Sequence, residues 1–421
     1  MKNELLKDLT WRGLINDCTD LEALDELLES EMVTLYCGFD PTADSLHVGS
    51  LLPILVLKRF QLAKHKPLPL VGGATGLIGD PSGRTTERSL NTLETVQNWS
   101  QSIKNQLAQF LNFDENKNGA ELVNNYNWTK NLSIIDFLRD YGKHFGINYM
   151  LAKDTIAKRL DTGISFTEFT YTILQAMDFE YLFNNKGCKL QIGGSDQWGN
   201  ITSGLELIRK SNGSDVKAIG LTIPLVTKAD GTKFGKTAGG AIWLDAKLTT
   251  PYEMYQFFLN TSDDDVIKFL KYFTFLSHEE INQLEEKVKT EPHLREAQKQ
   301  LAKEVVTLVH GEMAFQQALK ITSSLFSGDI KNLTGEEIEA GFKGLPSMVL
   351  SSEKGIIDLL IEIKAARSKR EAREFVSNNS VSINGEKVND INFVIKKENA
   401  IENKYIVLRR GKKNYFMAKF E

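Results

Sequence analysis

The stretch Met32-Val33-Thr34-Leu35-Tyr36-Cys37-Gly38-Phe39-Asp40-Pro41-Thr42 runs from an apolar, β-prone segment into a turn, and His47-Val48-Gly49-Ser50 follows at the mouth of a second apolar segment. Residues 32–37 read as a strand, 38–42 as a turn, and 46–65 as a helix with Leu51, Ile54, Leu55 and Leu57 at core positions. Residues 68–71 read as another strand, ending in Gly72-Gly73-Ala74-Thr75-Gly76-Leu77-Ile78-Gly79-Asp80. Strand, helix and strand in this order predict an α/β fold with a parallel sheet and right-handed crossovers. Ligands of such sheets sit beyond the carboxyl ends of the strands, where both turns lie.

Outward from this core, 166–181 reads as a helix, 189–192 as a strand, and Gly193-Gly194-Ser195-Asp196-Gln197-Trp198 as a loop before a further helix. Residues 250–325 are helical and polar, and 331–354 are mixed and loop-rich, which suggests a linker. The last segment, 355–421, reads as a compact α+β unit: a basic helix at 368–377, a hairpin turning at Asn384-Gly385, and strands ending at Phe420.

The 421 residues contain no run of 18 apolar residues and no apolar leader segment, so neither a membrane span nor a signal peptide is expected. Cys18, Cys37 and Cys188 are odd in number and far apart, which fits a reduced, cytoplasmic protein without a zinc site or disulfide framework. The net charge of −4 is unevenly spread. From 355 to 421 there are 14 Lys and Arg against 9 Asp and Glu, leaving the rest of the chain strongly acidic. A basic tail on an acidic body suits an anionic partner such as nucleic acid, although a solvated basic face gives the same count.

His47-Val48-Gly49-Ser50 places an imidazole at a helix N-terminus, where unpaired N–H groups and the helix dipole attract phosphate. Gly49 lets a flat ring approach the backbone, and Thr42 adds a donor. Lys233-Phe234-Gly235-Lys236-Thr237 supplies two ammonium groups on a glycine-containing loop, suited to charge that develops in a transition state. The turn from Gly72 lacks the Gly-Lys-Ser/Thr ending of a P-loop. Taken alone, the first motif reads as a capped helix with an incidental histidine and the second as an exposed basic loop. Tyr171, Gln175 and Asp178, at i, i+4 and i+7, share one helix face, either turned to solvent or holding a polar ligand.

These blocks, with Gly79-Asp80-Pro81-Ser82-Gly83 and Gly194-Ser195-Asp196-Gln197-Trp198-Gly199-Asn200, occur in an order and spacing that resemble the bacterial tyrosyl-tRNA synthetases, a family of class I aminoacyl-tRNA synthetases. The two phosphate motifs correspond to that family's HIGH and KMSKS patterns. The resemblance covers essentially the whole chain. It implies a Rossmann-like catalytic domain at 1–245, an α-helical domain at 246–330, a linker at 331–354 and an RNA-binding domain at 355–421. It implies activation of L-tyrosine by ATP to tyrosyl-adenylate, then transfer to the 3′ end of tRNA(Tyr), with Mg2+ accompanying ATP, no protein-bound structural metal, and a homodimer.

The resemblance also assigns roles. Tyr36 and Asp178 would bind the substrate's phenol; Tyr171, Gln175 and Asp80 its ammonium; and Gln197 would approach its carboxylate. Cys37, Gly194 and Asp196 would meet the ribose, with Asp40 near the adenosine and Gly38, Gly49 and Ser50 completing the ATP site. Thr42 and His47, with Lys233, Lys236 and Thr237 closing over them, would stabilise the departing pyrophosphate. Arg84 and Arg88 would lie near the phosphates or the tRNA end. Ser50 stands where the family more often has histidine or asparagine, and Phe234-Gly235 interrupts the second motif's usual spelling, with both lysines kept. Pro53 is expected in the first helical turn, where its missing N–H costs little. In the tail, Arg367, Lys369, Arg370, Arg373, Arg409, Arg410, Lys412 and Lys413 resemble an RNA-binding module shared with a ribosomal small-subunit protein. A tryptophanyl-tRNA synthetase and a non-catalytic RNA-binding relative are the competing readings. The Tyr36–Asp178 pair and the basic tail oppose the first, and the intact His47, Lys233, Lys236, Asp80 and Asp178 oppose the second.

Overall fold

The computed structural model describes residues 1–82, 89–114, 118–161, 163–237, 240–411 and 414–421, without the side chains at 154–155 and 236–237. Arg84, Arg88, Lys412 and Lys413, and the side chains of Lys236 and Thr237, therefore lie outside the described residues. The chain forms two compact units: Met1–Leu248 with Thr261–Leu301, and Thr249–Asn260 with Ala302–Glu421. The helical stretch at 246–330 is thus divided between them.

The first unit is built on strands β1 (Asp17–Cys18), β2 (Thr34–Phe39), β3 (Lys66–Val71), β4 (Val123–Asn124), β5 (Cys188–Gly194) and β6 (Ile219–Ile223). Their spatial order is β1-β6-β5-β2-β3-β4. All neighbours are parallel except β1, which runs against β6. From β2 the chain moves out to β3 and β4 on one side, then returns to β5 and β6 on the other. The crevice at the carboxyl ends of β2 and β5 is therefore the topological switch point, the place where open α/β sheets bind ligands. β3 tolerates Pro67 and Pro69 because β4 pairs only with Leu70 and Val71.

Helix α1 (Val48–Leu62) buries Leu51, Ile54, Leu55 and Leu57 as the pattern requires. It begins later than the apolar run suggests because His47 is extended and serves as its N-cap. Pro53 is consequently the sixth helical residue, not a first-turn one. Its missing N–H falls where the Gly49 carbonyl would otherwise be bonded. Helix α2 (Phe166–Lys186) starts at Ser165, whose side chain accepts from Glu168 N–H, and stops at Gly187 with φ +62°. Helix α3 (Trp198–Asn212) lies close against α2: a Cβ on Gly204 would meet Phe179 at 3.0 Å. Helix α4 (Asp263–Phe273) buries Val266, Phe269, Leu270 and Phe273.

The second unit has a five-stranded sheet of β7 (Ser347–Leu350), β8 (Val381–Ile383), β9 (Glu386–Val388), β10 (Tyr405–Arg410) and β11 (Asn414–Phe420), ordered β9-β8-β10-β11-β7. Asn384 and Gly385 turn the β8–β9 hairpin with φ of +48° and +89°, the pair of positive angles that a type I′ turn demands. Residues 331–354 are not a bare linker. Ile338 and Phe342 pack with Tyr405 and Val407, and β7 pairs in parallel with β11. That strand is four residues long and gains its register only from a partner some seventy residues later, so no local pattern announces it. No helix among the described residues is long and apolar enough to cross a membrane.

Candidate active site

The carboxyl end of β2 brings Tyr36, Cys37, Gly38 and Asp40 to the switch point, and α2 faces them with Tyr171, Gln175 and Asp178. The polar face of α2 is turned inward: Tyr171 is 4% exposed and Asp178 3%. Asp178 is held by two donors, Asn125 Nδ2 on one oxygen and Trp128 Nε1 on the other, each at 2.9 Å. Burial nevertheless dominates and pushes its carboxyl up to about 7. Tyr36 is fully enclosed, its ring tilted against Phe179 at 5.4 Å, and its hydroxyl makes no hydrogen bond. Its ionisation is suppressed, first by desolvation and then by the neighbouring Asp178 charge. A buried phenol left unpaired costs on the order of 1–3 kcal/mol, so this hydroxyl marks a place for a ligand atom.

At the other end of the pocket, Tyr171 Oη donates to Asp40 Oδ2 at 2.6 Å, and Thr75 Oγ1 donates to Asp40 Oδ1 at 2.6 Å. A Cβ on Gly72 would lie 1.9 Å from Asp40 Oδ1, so glycine is what lets this carboxylate reach the pocket wall. Asp80 Oδ1 caps Ser82 N–H at 2.8 Å, and Asp80 Oδ2 accepts from Gln197 Nε2 at 2.7 Å. Gln197 in turn accepts from Asn200 Nδ2 at 3.1 Å. Asp196, at the end of β5, is raised by burial and then by Asp80, and lowered in part by Lys233. Asp40, Asp80, Asp178 and Asp196 thus crowd one cleft closely enough to perturb one another or Tyr171. Such a cleft favours a cation such as an ammonium group.

Above it stand the two phosphate motifs. His47 Nδ1 accepts from Gly49 N–H at 3.0 Å, which leaves Nε2 to carry the proton of the neutral ring. A Cβ on Gly49 would collide with that ring at 2.7 Å, so glycine is required for this cap. Thr42 and His47 are exposed and Ser50 half-buried. The second motif is stitched to the first: Val48 N–H donates to the Ile242 carbonyl, and Ile242 N–H to that of Gly235, both at 2.9 Å. Gly235, at φ +78°, sits where a Cβ would strike Val48 Cγ2 at 2.7 Å. We expect Gly235→Ala to destabilise this junction and to lower the turnover of any reaction at the site by about tenfold or more, read by steady-state kinetics. Cys37 is buried and its thiol pushed up to about 12, so it acts as a neutral, weakly polar wall. Gly38 is open to solvent, and Gly194 lies against Asp196. Among the described residues no group of three or more His, Cys, Asp or Glu is arranged to hold a metal ion.

In the second unit, helix α5 (Lys369–Ser377), capped by Ser368, exposes Lys369, Arg370 and Arg373, with Arg367 just before it. Lys369 pairs with Asp358 at 3.2 Å. Arg410 is committed inward, donating to the Ala365 carbonyl at 2.5 Å and lying over Phe375. Arg409 is half-buried, 6.0 Å from the Tyr415 ring. Sequence reasoning missed Asn125, Trp128 and Thr75, which fix Asp178 and Asp40. Each reaches its partner across 35 to 53 residues of chain, and nothing periodic marks them.

The family model for tRNA synthetases class I (W and Y) matches residues 28–327, and that for the tyrosine–tRNA ligase SYY-like C-terminal domain matches residues 337–418. The chain belongs to the class I tRNA synthetases. The tyrosine–tRNA ligase of Bacillus pumilus is 60% identical over 421 residues, covering the full length of both chains. Tyrosine–tRNA ligase 1 of Bacillus subtilis is 60% identical over 419 residues, 99% of each. Among solved structures, a C-terminally truncated mitochondrial tyrosyl-tRNA synthetase of Aspergillus nidulans is 35% identical at a TM-score of 0.70, covering 77% of this chain and 95% of its own. A tryptophanyl-tRNA synthetase of Encephalitozoon cuniculi, 15% identical at a TM-score of 0.55 and covering 80% and 90%, shares the fold. Within its class the protein is a tyrosine–tRNA ligase, an ATP-dependent enzyme that joins tyrosine to tRNA.

Proposed function

We propose that the cleft at the switch point performs both steps of this ligation and that its residues divide the work as follows. Tyrosine enters with its phenol between Tyr36 and Asp178 and its ammonium among Tyr171, Gln175 and Asp80, while Gln197 guides the carboxylate. ATP lies along Cys37, Gly38, Asp40, Gly194 and Asp196 with its phosphates toward Gly49, Ser50 and the α1 N-terminus. The carboxylate attacks the α-phosphorus, the bond to pyrophosphate breaks, and tyrosyl-adenylate forms. No side chain attacks. Thr42, His47 through Nε2–H, Lys233, Lys236 and Thr237 stabilise charge on the departing pyrophosphate, and Mg2+ arrives bound to ATP. A ribose hydroxyl at the 3′ end of tRNA(Tyr) then attacks the tyrosyl carbonyl and AMP leaves, while Arg367, Lys369, Arg370 and Arg373, with Arg409, Lys412 and Lys413, hold the RNA backbone. The inward bond of Arg410 argues for a structural part instead.

The observation that carries the tyrosine assignment is the buried, unpaired Tyr36 hydroxyl beside the carboxyl of Asp178. Its test is the pH dependence of tyrosine binding. The competent form of Asp178 is the carboxylate, which accepts the phenol's hydrogen bond. Because the free protein holds this carboxyl at about 7, tyrosine affinity is expected to rise from pH 6 to pH 8 and then level off. Phenylalanine offers no hydroxyl and prefers the neutral acid, so its weaker binding should fall over the same range. Fluorescence titration reads both, and a flat tyrosine profile would contradict the assignment.

The enzyme acts as a homodimer in the cytoplasm on this reading. Ile134, Ile135, Leu138, Ile147 and Phe166, all within residues 134–166, are more than half exposed. Apolar exposure of that density suits a second copy. Sedimentation equilibrium is the check, and Phe166→Asp is expected to weaken the dimer.

A further inference from the structure

The lysine loop is seated on α4, which none of the assigned roles uses. Residues 226–234 form a small hairpin: Lys228 N–H donates to the Thr232 carbonyl at 2.9 Å, and Phe234 N–H to that of Val226 at 3.3 Å. It is tied at three points. Ala229 N–H is received by both oxygens of Asp265, at 2.9 and 3.1 Å. Lys268 Nζ donates to the Thr227 carbonyl at 2.8 Å while pairing with Asp265 at 2.8 Å. Phe234 is 7% exposed, its ring 4.7 Å from Phe269 and stacked on Phe273 at 5.1 Å. Lys233, one residue before Phe234, is exposed.

We infer that Asp265 is a positioning residue for tyrosine activation: with Lys268 and the Phe269–Phe273 pair it anchors the hairpin from which Lys233 closes onto the phosphates. This rests on the reading of Lys233 as a phosphate-stabilising group. Ala229 to Lys233 spans five residues, so a carboxylate that fixes the first peptide and a ring that fixes the residue after the last restrict the path along which the lysine moves. A loop anchored at fixed points closes along a defined path and delivers its charge where the pyrophosphate develops its own. A loop that must be ordered anew, or that sits about 1 Å away, loses roughly two orders of magnitude in rate. The tyrosine pocket is made by β2, α2 and β5, and none of the tethers named above comes from these elements, so tyrosine binding should be indifferent to them.

The test uses the full-length enzyme and four variants: Asp265→Ala, Asp265→Asn, Lys268→Met and Lys233→Ala. Adenylate formation is followed in single turnover, tyrosine affinity by fluorescence, melting by calorimetry, and loop order by the rate of tryptic cleavage after Lys228 and Lys233. Asp265→Ala is expected to slow adenylate formation by about 10- to 100-fold and to speed cleavage, with tyrosine affinity within twofold. Asp265→Asn, which keeps an oxygen for Ala229 N–H, should recover part of the rate. Lys268→Met leaves the start of α4 intact and should show a smaller loss in the same direction. Full rate in Asp265→Ala and Lys268→Met, with Lys233→Ala slow, overturns the inference alone. Equal losses of rate, tyrosine affinity and melting temperature also overturn it, since they mean a purely structural role. Full rate in Lys233→Ala overturns the catalytic reading of the loop and the inference with it.

Discussion

Asp178→Ala is expected to abolish tyrosine activation, with a loss of at least about a thousandfold in kcat/KM for tyrosine. Two costs combine. The phenol loses a charged acceptor, worth about 1.5–3 kcal/mol. Asn125 and Trp128, which donate to the two oxygens of Asp178, lose their common partner inside a closed pocket. Each stranded donor adds on the order of 1–3 kcal/mol, spent partly on the bound state and partly on folding. Melting should therefore fall as well, so activity is compared with melting and with ATP binding. Near-normal tyrosine activation by the variant would remove Asp178 from the pocket. Tyr36→Phe is the milder companion: it deletes the unpaired hydroxyl, should leave the free enzyme as stable as before or more so, and should still weaken tyrosine.

Replacing Arg367, Lys369, Arg370 and Arg373 together by alanine is expected to cut tRNA charging by about a hundredfold while leaving tyrosine-dependent pyrophosphate exchange unchanged. The four side chains lie on an exposed surface of the second unit, and the tyrosine pocket is built wholly from the first. If each contacts one phosphate, the slope of log affinity against log salt should shrink by about 3 to 4. The salt series distinguishes this from misfolding, which would change amplitude without changing slope. The four-residue replacement is a cleaner probe than deleting 355–421. Such a cut would strip β7 of its partner β11 and expose Ile338 and Phe342.

How far the sequence speaks depends on whether a feature is local. Strand β2, α1 and α2 follow from apolar runs bounded by Gly, Pro and capping residues, and the Asn384-Gly385 turn from the angles those residues accept. The three polar residues of α2 were legible as one face, but its direction was not. Burial of that face depends on Asn125, Trp128 and Asp40, which arrive from the segments just after β4 and β2. β7 and the placement of Pro53 escaped for related reasons: the first is set by a distant strand, the second by the residue that happens to cap the helix. Likewise, the join between the two phosphate motifs runs through Ile242 and Gly235, and no spacing rule reveals that Val48 and Gly235 touch. Arg410 illustrates the opposite error, since its charge was legible but its inward hydrogen bond was not.

The most direct measurement is amino-acid-dependent exchange of labelled pyrophosphate into ATP, run in parallel with tyrosine, phenylalanine and tryptophan. Rapid exchange with tyrosine and essentially none with the other two is the predicted result, because only tyrosine satisfies both Tyr36 and Asp178. Exchange driven by tryptophan, or by phenylalanine as well as by tyrosine, would contradict it.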